Sequence, residues 1–180
     1  MNNKLITFLY LCFLLAALGC SKKPQEPENN EIKLSESWSF KSEVSPLDDQ
    51  PILFIFKESN ESVKVGYKTI RPVLFIRFKE GNLSCFINYG IFLGTGYTSV
   101  TMRMDKKDPR THKWEISNDR ESIFYPSGVK WFVDNLIESK TLLIQVTPYG
   151  ESTITNSFDL KGIQESIKPI LTEFQKLYPN

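Results

Sequence analysis

From Trp38 onward the chain alternates apolar and polar residues with the two-residue period of half-buried strands. Trp38, Phe40 and Val44 are separated by Ser, Lys and Glu. Leu83, Cys85, Ile87 and Tyr89 are interleaved with Ser84, Phe86 and Asn88. Between Tyr97 and Met104 the residues Val100, Met102 and Met104 share one side, and Ser99, Thr101 and Arg103 share the other. Two runs, Ile52–Phe56 and Val73–Phe78, are apolar on both sides, which suits central strands of a sandwich. Lys79-Glu80-Gly81-Asn82 reads as the turn of a hairpin. Further strands are predicted at Thr111–Ile116, Ser122–Tyr125, Leu142–Thr147 and Thr153–Phe158, the last two joined by a turn at Pro148-Tyr149-Gly150.

Two segments change period. Val129, Phe132, Val133, Leu136 and Ile137 make one stripe of a helix, with Ser127 placed as its N-cap. Ile163, Ile167, Ile170, Leu171, Phe174 and Leu177 make a second, with Asp159 as a cap and Pro169 expected to kink or break the helix near Glu165. The predicted fold is mainly β: an antiparallel β-sandwich with two packed amphipathic α-helices.

The N-terminal end follows a different rule. Lys4 precedes an apolar run from Leu5 to Leu18, the length of a signal-peptide core and too short to span a bilayer. The run closes in Ala17-Leu18-Gly19-Cys20, which resembles the lipobox of bacterial lipoproteins, where the cysteine is acylated and the chain is cut before it. Residues 1–19 are therefore expected as a lipoprotein signal peptide, 20–31 as an acylated Cys20 with a polar, proline-containing tether, and 32–180 as a single domain with a C-terminal helix. Ser21 after the cysteine resembles the outer-membrane sorting pattern of Gram-negative lipoproteins, so the expected location is the periplasmic inner face of that membrane.

Of 22 basic and 21 acidic side chains only Lys4 lies in the leader, so the mature surface is balanced and offers no electrostatic case for nucleic acid. Cys12 leaves with the leader and Cys20 is committed to lipid, which strands Cys85 without an internal disulfide partner. Its expected place is the core face of its strand, as a small hydrophobe.

Read in order, Trp38, Ser45-Pro46-Leu47-Asp48-Asp49, Pro72-Val73-Leu74-Phe75-Ile76-Arg77 and Phe92-Leu93-Gly94 begin a pattern. Arg103-Met104-Asp105, Trp114-Glu115-Ile116-Ser117, Thr147-Pro148-Tyr149 and Phe158-Asp159-Leu160-Lys161-Gly162 complete it. The series resembles the VasI/TagO-like family, small envelope proteins associated with type VI secretion and also found in phage and orphan contexts. The resemblance implies a β-rich exported domain with an accessory role and no established catalytic residues. It also implies a disulfide, one cysteine of which follows the arginine of the P-x-L-x-x-R segment. Here Phe78 follows Arg77 and the C-terminal helix has no cysteine. That departure favours a phage- or plasmid-type lipoprotein on the same sandwich.

Candidate chemistry is sparse. His112 is the one histidine, and it lies among Lys106, Lys107, Arg110 and Lys113; it reads as a solvated loop or strand-edge residue. One histidine and one cysteine leave a zinc site short of ligands, and no metal or cofactor is expected. Asp48 and Asp49 could act as an acid–base pair or cation ligands, but a turn is the preferred reading. Arg77 and Arg103 interrupt apolar strands, and the expectation is that one of them pairs with Asp48, Asp49 or Asp105 in a structural network. Gly90, Gly94 and Gly96 lie between two strands and lack the following helix that a phosphate cradle needs. Phe92 on that loop and Tyr149 on its turn are candidate partner contacts. The function expected is a non-enzymatic accessory lipoprotein that binds another envelope protein. The alternative is an immunity-type lipoprotein that blocks an incoming phage or toxin, and a cell-wall or lipid hydrolase is a third reading without a nucleophile motif.

Overall fold

The computed structural model describes residues 38–179. The expected leader, Cys20 and the whole of the tether lie outside the described residues. The strands are β1 (Ser39–Val44), β2 (Pro51–Glu58), β3 (Val63–Val65), β4 (Lys68–Ile70), β5 (Val73–Lys79) and β6 (Asn82–Asn88). They continue as β7 (Tyr97–Met104), β8 (Arg110–Ile116), β9 (Ser122–Phe124), β10 (Thr141–Val146) and β11 (Ile154–Asp159). Helix α1 (Val129–Ile137) precedes β10, and α2 (Ile163–Ser166) and α3 (Lys168–Leu177) end the described chain.

Nine strands form one antiparallel sheet in the order β1-β2-β5-β6-β9-β8-β7-β10-β11. The fold is mainly antiparallel β with packed helices, as the periodicity predicts. The two layers of the sandwich come from a single sheet that curls without closing into a barrel. Its ends approach through the segment after β2: the Asn60 N–H donates to the Ser157 carbonyl (2.8 Å) and the Glu61 carboxylate accepts from the Ser157 hydroxyl. Lys57 reaches Asp159 across the same seam at 3.8 Å.

Alternation sorts the side chains as expected. Val100, Met102 and Met104 are buried, as are Cys85, Ile87 and Tyr89, and all belong to one core with Trp38, Trp114, Phe132 and Phe158. Turn chemistry fixes register: Glu80 and Gly81 both have positive φ (51° and 75°), the conformation of a two-residue hairpin turn between the paired Lys79 and Asn82. The β3–β4 hairpin, turning at Gly66 with φ 56°, escaped the sequence reading because three-residue strands carry too short a pattern.

Helix α1 buries Phe132, Val133 and Leu136, as its stripe requires. Phe132 stacks on Tyr125 at 4.0 Å, and Trp114 meets both rings edge-on. Its cap differs from expectation. Gly128, at φ 66°, is the N-cap, and no side chain caps the first turn; the left-handed entry leaves Ser127 one residue too far upstream to bond it. At the C-terminal end the break is as expected. Helix α2 stops at Ser166 and α3 restarts with Pro169 in its first turn, where a missing N–H costs nothing. Asp159 does not cap this helix; its carboxylate accepts the Lys161 N–H in a turn, and Gly162 enters α2 with φ 84°. Ile170 is fully buried, and Leu171 and Phe174 pack against the core.

Candidate functional site

Three loops converge at one end of the sheet. The β6–β7 loop is held by backbone bonds on both sides: Tyr89 N–H to the Glu121 carbonyl, Leu93 N–H to Arg120, and Ile116 N–H to Gly96. The buried Tyr89 hydroxyl donates to Asn156 Oδ1 at 3.2 Å. Within this frame Ile91 and Leu93 point inward, being 7% and 3% exposed, so Phe92 between them must point out. Phe92 is 47% exposed.

The β10–β11 turn brings Tyr149 to the same place. The Thr147 and Thr153 hydroxyls bond across its base at 2.7 Å, and Gly150 supplies the positive φ the turn needs. Tyr149 is 74% exposed and meets the edge of Phe92 with ring centres 5.7 Å apart. Gly94 packs beside Tyr149 and takes φ 112°, a conformation that side-chain-bearing residues rarely adopt.

The third element is the β8–β9 turn. The Ser117 hydroxyl donates to Asp119, and Asp119 accepts the Glu121 N–H at 3.1 Å. The Ser117 hydrogen bond is the main cause holding the Asp119 carboxyl below its ordinary value, with the Glu121 N–H next. Arg120, at φ 67°, places its guanidinium 5.8 Å from the Phe92 ring centre. The result is an exposed aromatic pair flanked by a cation, set on braced loops. Phe92 and Tyr149 were separate candidates in the sequence, and the fold makes them one surface. Arg120 was missed, because a turn arginine carries no pattern.

The other candidates disperse. Asp48 and Asp49 form the β1–β2 turn: the Asp49 N–H donates to Ser45, the Ser45 N–H to the Gln50 carbonyl, and the Gln50 N–H to Asp48 Oδ1. The Ser45 hydroxyl and then the Gln50 N–H hold the Asp48 carboxyl below its usual range. The expected arginine–aspartate network does not form among the described residues, because each partner is satisfied closer by. Arg77 Nε donates to Ser84 Oγ at 3.1 Å, and its guanidinium lies over Phe86 and Phe124, 5.3 and 5.8 Å from their centres. Burial lowers its pKa while Glu80 opposes that shift. Arg103 clamps its own hairpin, donating to the Lys107 and Lys106 carbonyls at 2.9 and 3.3 Å. Asp105 accepts the Lys140 and Thr141 N–H groups, both at 2.9 Å, and the Thr141 hydroxyl. Burial raises the Asp105 pKa, but these hydrogen bonds outweigh it and the net shift is downward.

His112 is exposed on β8 opposite Val100. Cys85 is fully buried, and burial pushes its thiol well up, so it is a core residue in an unreactive state. Gly90, Gly94 and Gly96 carry positive φ in a strand-to-strand loop, without the helix a phosphate site requires. Among the described residues no three His, Cys, Asp or Glu side chains gather as a metal site, and no helix is long and apolar enough to cross a membrane.

No family model matches the chain, and no curated protein matches it. Among solved structures it is similar to invasion associated protein B from Bartonella henselae, at 14% identity with a TM-score of 0.51, covering 77% of this chain and 94% of that one. At that identity the likeness shows a shared fold alone.

Proposed function

We propose that this chain is a non-enzymatic accessory lipoprotein of the bacterial envelope. Lipid on Cys20 holds it at the periplasmic face of the outer membrane, and the Phe92–Tyr149 end binds another envelope protein. The observation that carries the reading is the aromatic pair itself. Two large rings, 47% and 74% exposed, with Arg120 over Phe92, are held in water by loops braced with backbone hydrogen bonds. Rigid, exposed aromatic and arginine side chains are what binding hot spots are made of. The leader from Leu5 to Leu18, the cysteine after Gly19 and the polar spacer support the anchor. The resemblance to VasI/TagO-like proteins suggests a link to type VI secretion.

A second reading, an immunity-type lipoprotein that blocks a phage or toxin, is favoured by one observation. Phe78 stands where that family's disulfide cysteine would, and Cys85 is a free, buried thiol. The two readings share anchor and surface and differ in what is bound.

The test is photo-crosslinking in intact cells, with p-benzoylphenylalanine in place of Phe92 or Tyr149, and in place of the exposed Lys64 on β3 as control. Discrete adducts from the first two positions alone are expected, and the adduct identifies an envelope component or a phage or toxin protein. Equal adducts from Lys64, or none anywhere, overturn the binding surface. Cys20→Ala should release the folded domain from membranes; continued firm sedimentation with them overturns the anchor.

A further inference from the structure

Away from the aromatic pair, a cavity of about 380 Å³ opens between the β7–β8 hairpin and helix α1. Its size falls in the usual span of small-ligand sites, about 300–1,000 Å³. Met102 and Met104 lie on the core face of β7, and Trp131 and Asn135, one helical turn apart on α1, line the opposite side. Trp131 is 50% exposed although its neighbours Phe132 and Val133 are fully buried, so α1 turns a large ring to this opening while its other face holds the core. Arg110 pairs directly with Met102 across the hairpin and so shares the side of the sheet that bears the cavity.

The rim is charged. Lys107 and Arg110 line it with Asp108, and none of the three forms an ion pair within 4.0 Å among the described residues. The net charge is one positive unit. The hairpin that carries these groups is preorganised: Arg103 holds the Lys106 and Lys107 carbonyls, and Asp105 holds the start of β10. The two arms of the hairpin are therefore fixed relative to one another before anything binds.

We infer that this cavity binds a small amphiphilic carboxylate, with an unbranched acyl chain against Met102, Met104 and Trp131 and its head group between Lys107 and Arg110. Unbranched, polarisable methionine side chains adapt to a flexible alkyl chain, and the indole adds a flat apolar wall with a polar edge. Two unpaired cations over one anion select the carboxylate end. Asp108 makes the site disfavour dianions relative to a rim of two cations alone.

Of the chain's three methionines Met1 belongs to the expected leader, so methyl-labelled methionine in the mature chain gives two reporters, Met102 and Met104, both lining the cavity. The purified mature chain, without its expected leader and lipid, is titrated with decanoate, decanol and decyltrimethylammonium, each below its micellisation range. Saturable shifts of the Met102 and Met104 methyl signals with decanoate, a weaker response to decanol and the weakest to the cation are expected. The Lys107→Gln/Arg110→Gln variant should bind decanoate about tenfold less tightly, with decanol unaffected. Unchanged methyl positions in the ligand-free variant show that it folds. No saturable shift with decanoate, an equal response to all three probes, or full decanoate affinity in the variant overturns the inference. Trp131 fluorescence gives a second readout, since Trp38 and Trp114 are 1% and 0% exposed.

Discussion

The outward face of the sheet solves one problem in two ways. Across β2, β5, β6 and β9 the register aligns Phe56, Phe75, Phe86 and Phe124 in a single cross-strand row, each ring stacked on the next at 5.4, 4.9 and 4.6 Å. Arg77 lies over the far end of that stack. Across β8, β7, β10 and β11 the corresponding face carries Thr111, Thr101, Gln145 and Thr155, again one row, tied by hydrogen bonds of 2.8 and 3.2 Å. Neither row belongs to the buried core cluster. The aromatic half shields its rings with each other and with an arginine; the hydroxyl half needs no shielding. The first should therefore store stability outside the core, and the second should be nearly neutral.

Removing a middle ring tests this most severely. Phe86 touches Phe75 and Phe124 and lies under Arg77. Phe86→Ala should cost about 3 kcal/mol, the low end for a phenylalanine deletion because the ring is only half-buried. Urea unfolding measures it. A cost under about 1 kcal/mol would mean that the stack is ornament and that all stability lies in the inner core.

Asp105 tests the other half at a charged polar joint, where β7 meets the start of β10. Asp105→Ala removes a charged acceptor from two N–H groups and puts alanine at φ 51°, so about 2 kcal/mol should be lost at neutral pH. The folded-state pKa of this carboxyl is depressed. Its contribution is thus complete above the unfolded-state value and disappears as pH falls through the lower folded-state value. The gap between wild type and variant should narrow in acid. A gap independent of pH would assign the loss to backbone strain alone.

Arg77 measures the lid on the aromatic row. Arg77→Ala should cost about 1 kcal/mol through the lost ring contact and the Ser84 hydrogen bond, and Arg77→Met, which keeps an apolar cover, about half of that. A double-mutant cycle with Phe86→Ala separates the ring contact, and zero coupling would detach Arg77 from the stack.

This division bears on what could be read in the chain beforehand. Strand positions, the inward parity of Val100, Met102 and Met104, the α1 stripe and the break at Pro169 were legible because period and proline chemistry are local. Ile52–Phe56 and Val73–Phe78 read as apolar on both sides, and one strand alone cannot show that Phe56 and Phe75 will stack on rings of neighbouring strands. The arginine–aspartate pairing failed for a similar reason: Ser84, the Lys106 and Lys107 carbonyls and the Lys140 N–H are partners that only register reveals. Phe92 and Tyr149 were legible singly, and their meeting depends on a loop and a turn about sixty positions apart reaching one end of the sheet.

Thr101 provides the quietest test of the comparison. Its hydroxyl shares a 2.8 Å bond with Thr111 on the outward face, and both residues remain in contact with water. Thr101→Val keeps the β-branched shape that a strand prefers while deleting the hydroxyl. Solvent can satisfy Thr111 once its partner is gone, so the net change should stay within about 0.5 kcal/mol of zero, in either direction. The value matters because Phe86 occupies the equivalent middle position in the aromatic row. If Thr101→Val destabilised the domain as strongly as Phe86→Ala does, the hydroxyl row would also be a structural element, and the two halves of the outward face would differ in chemistry without differing in weight.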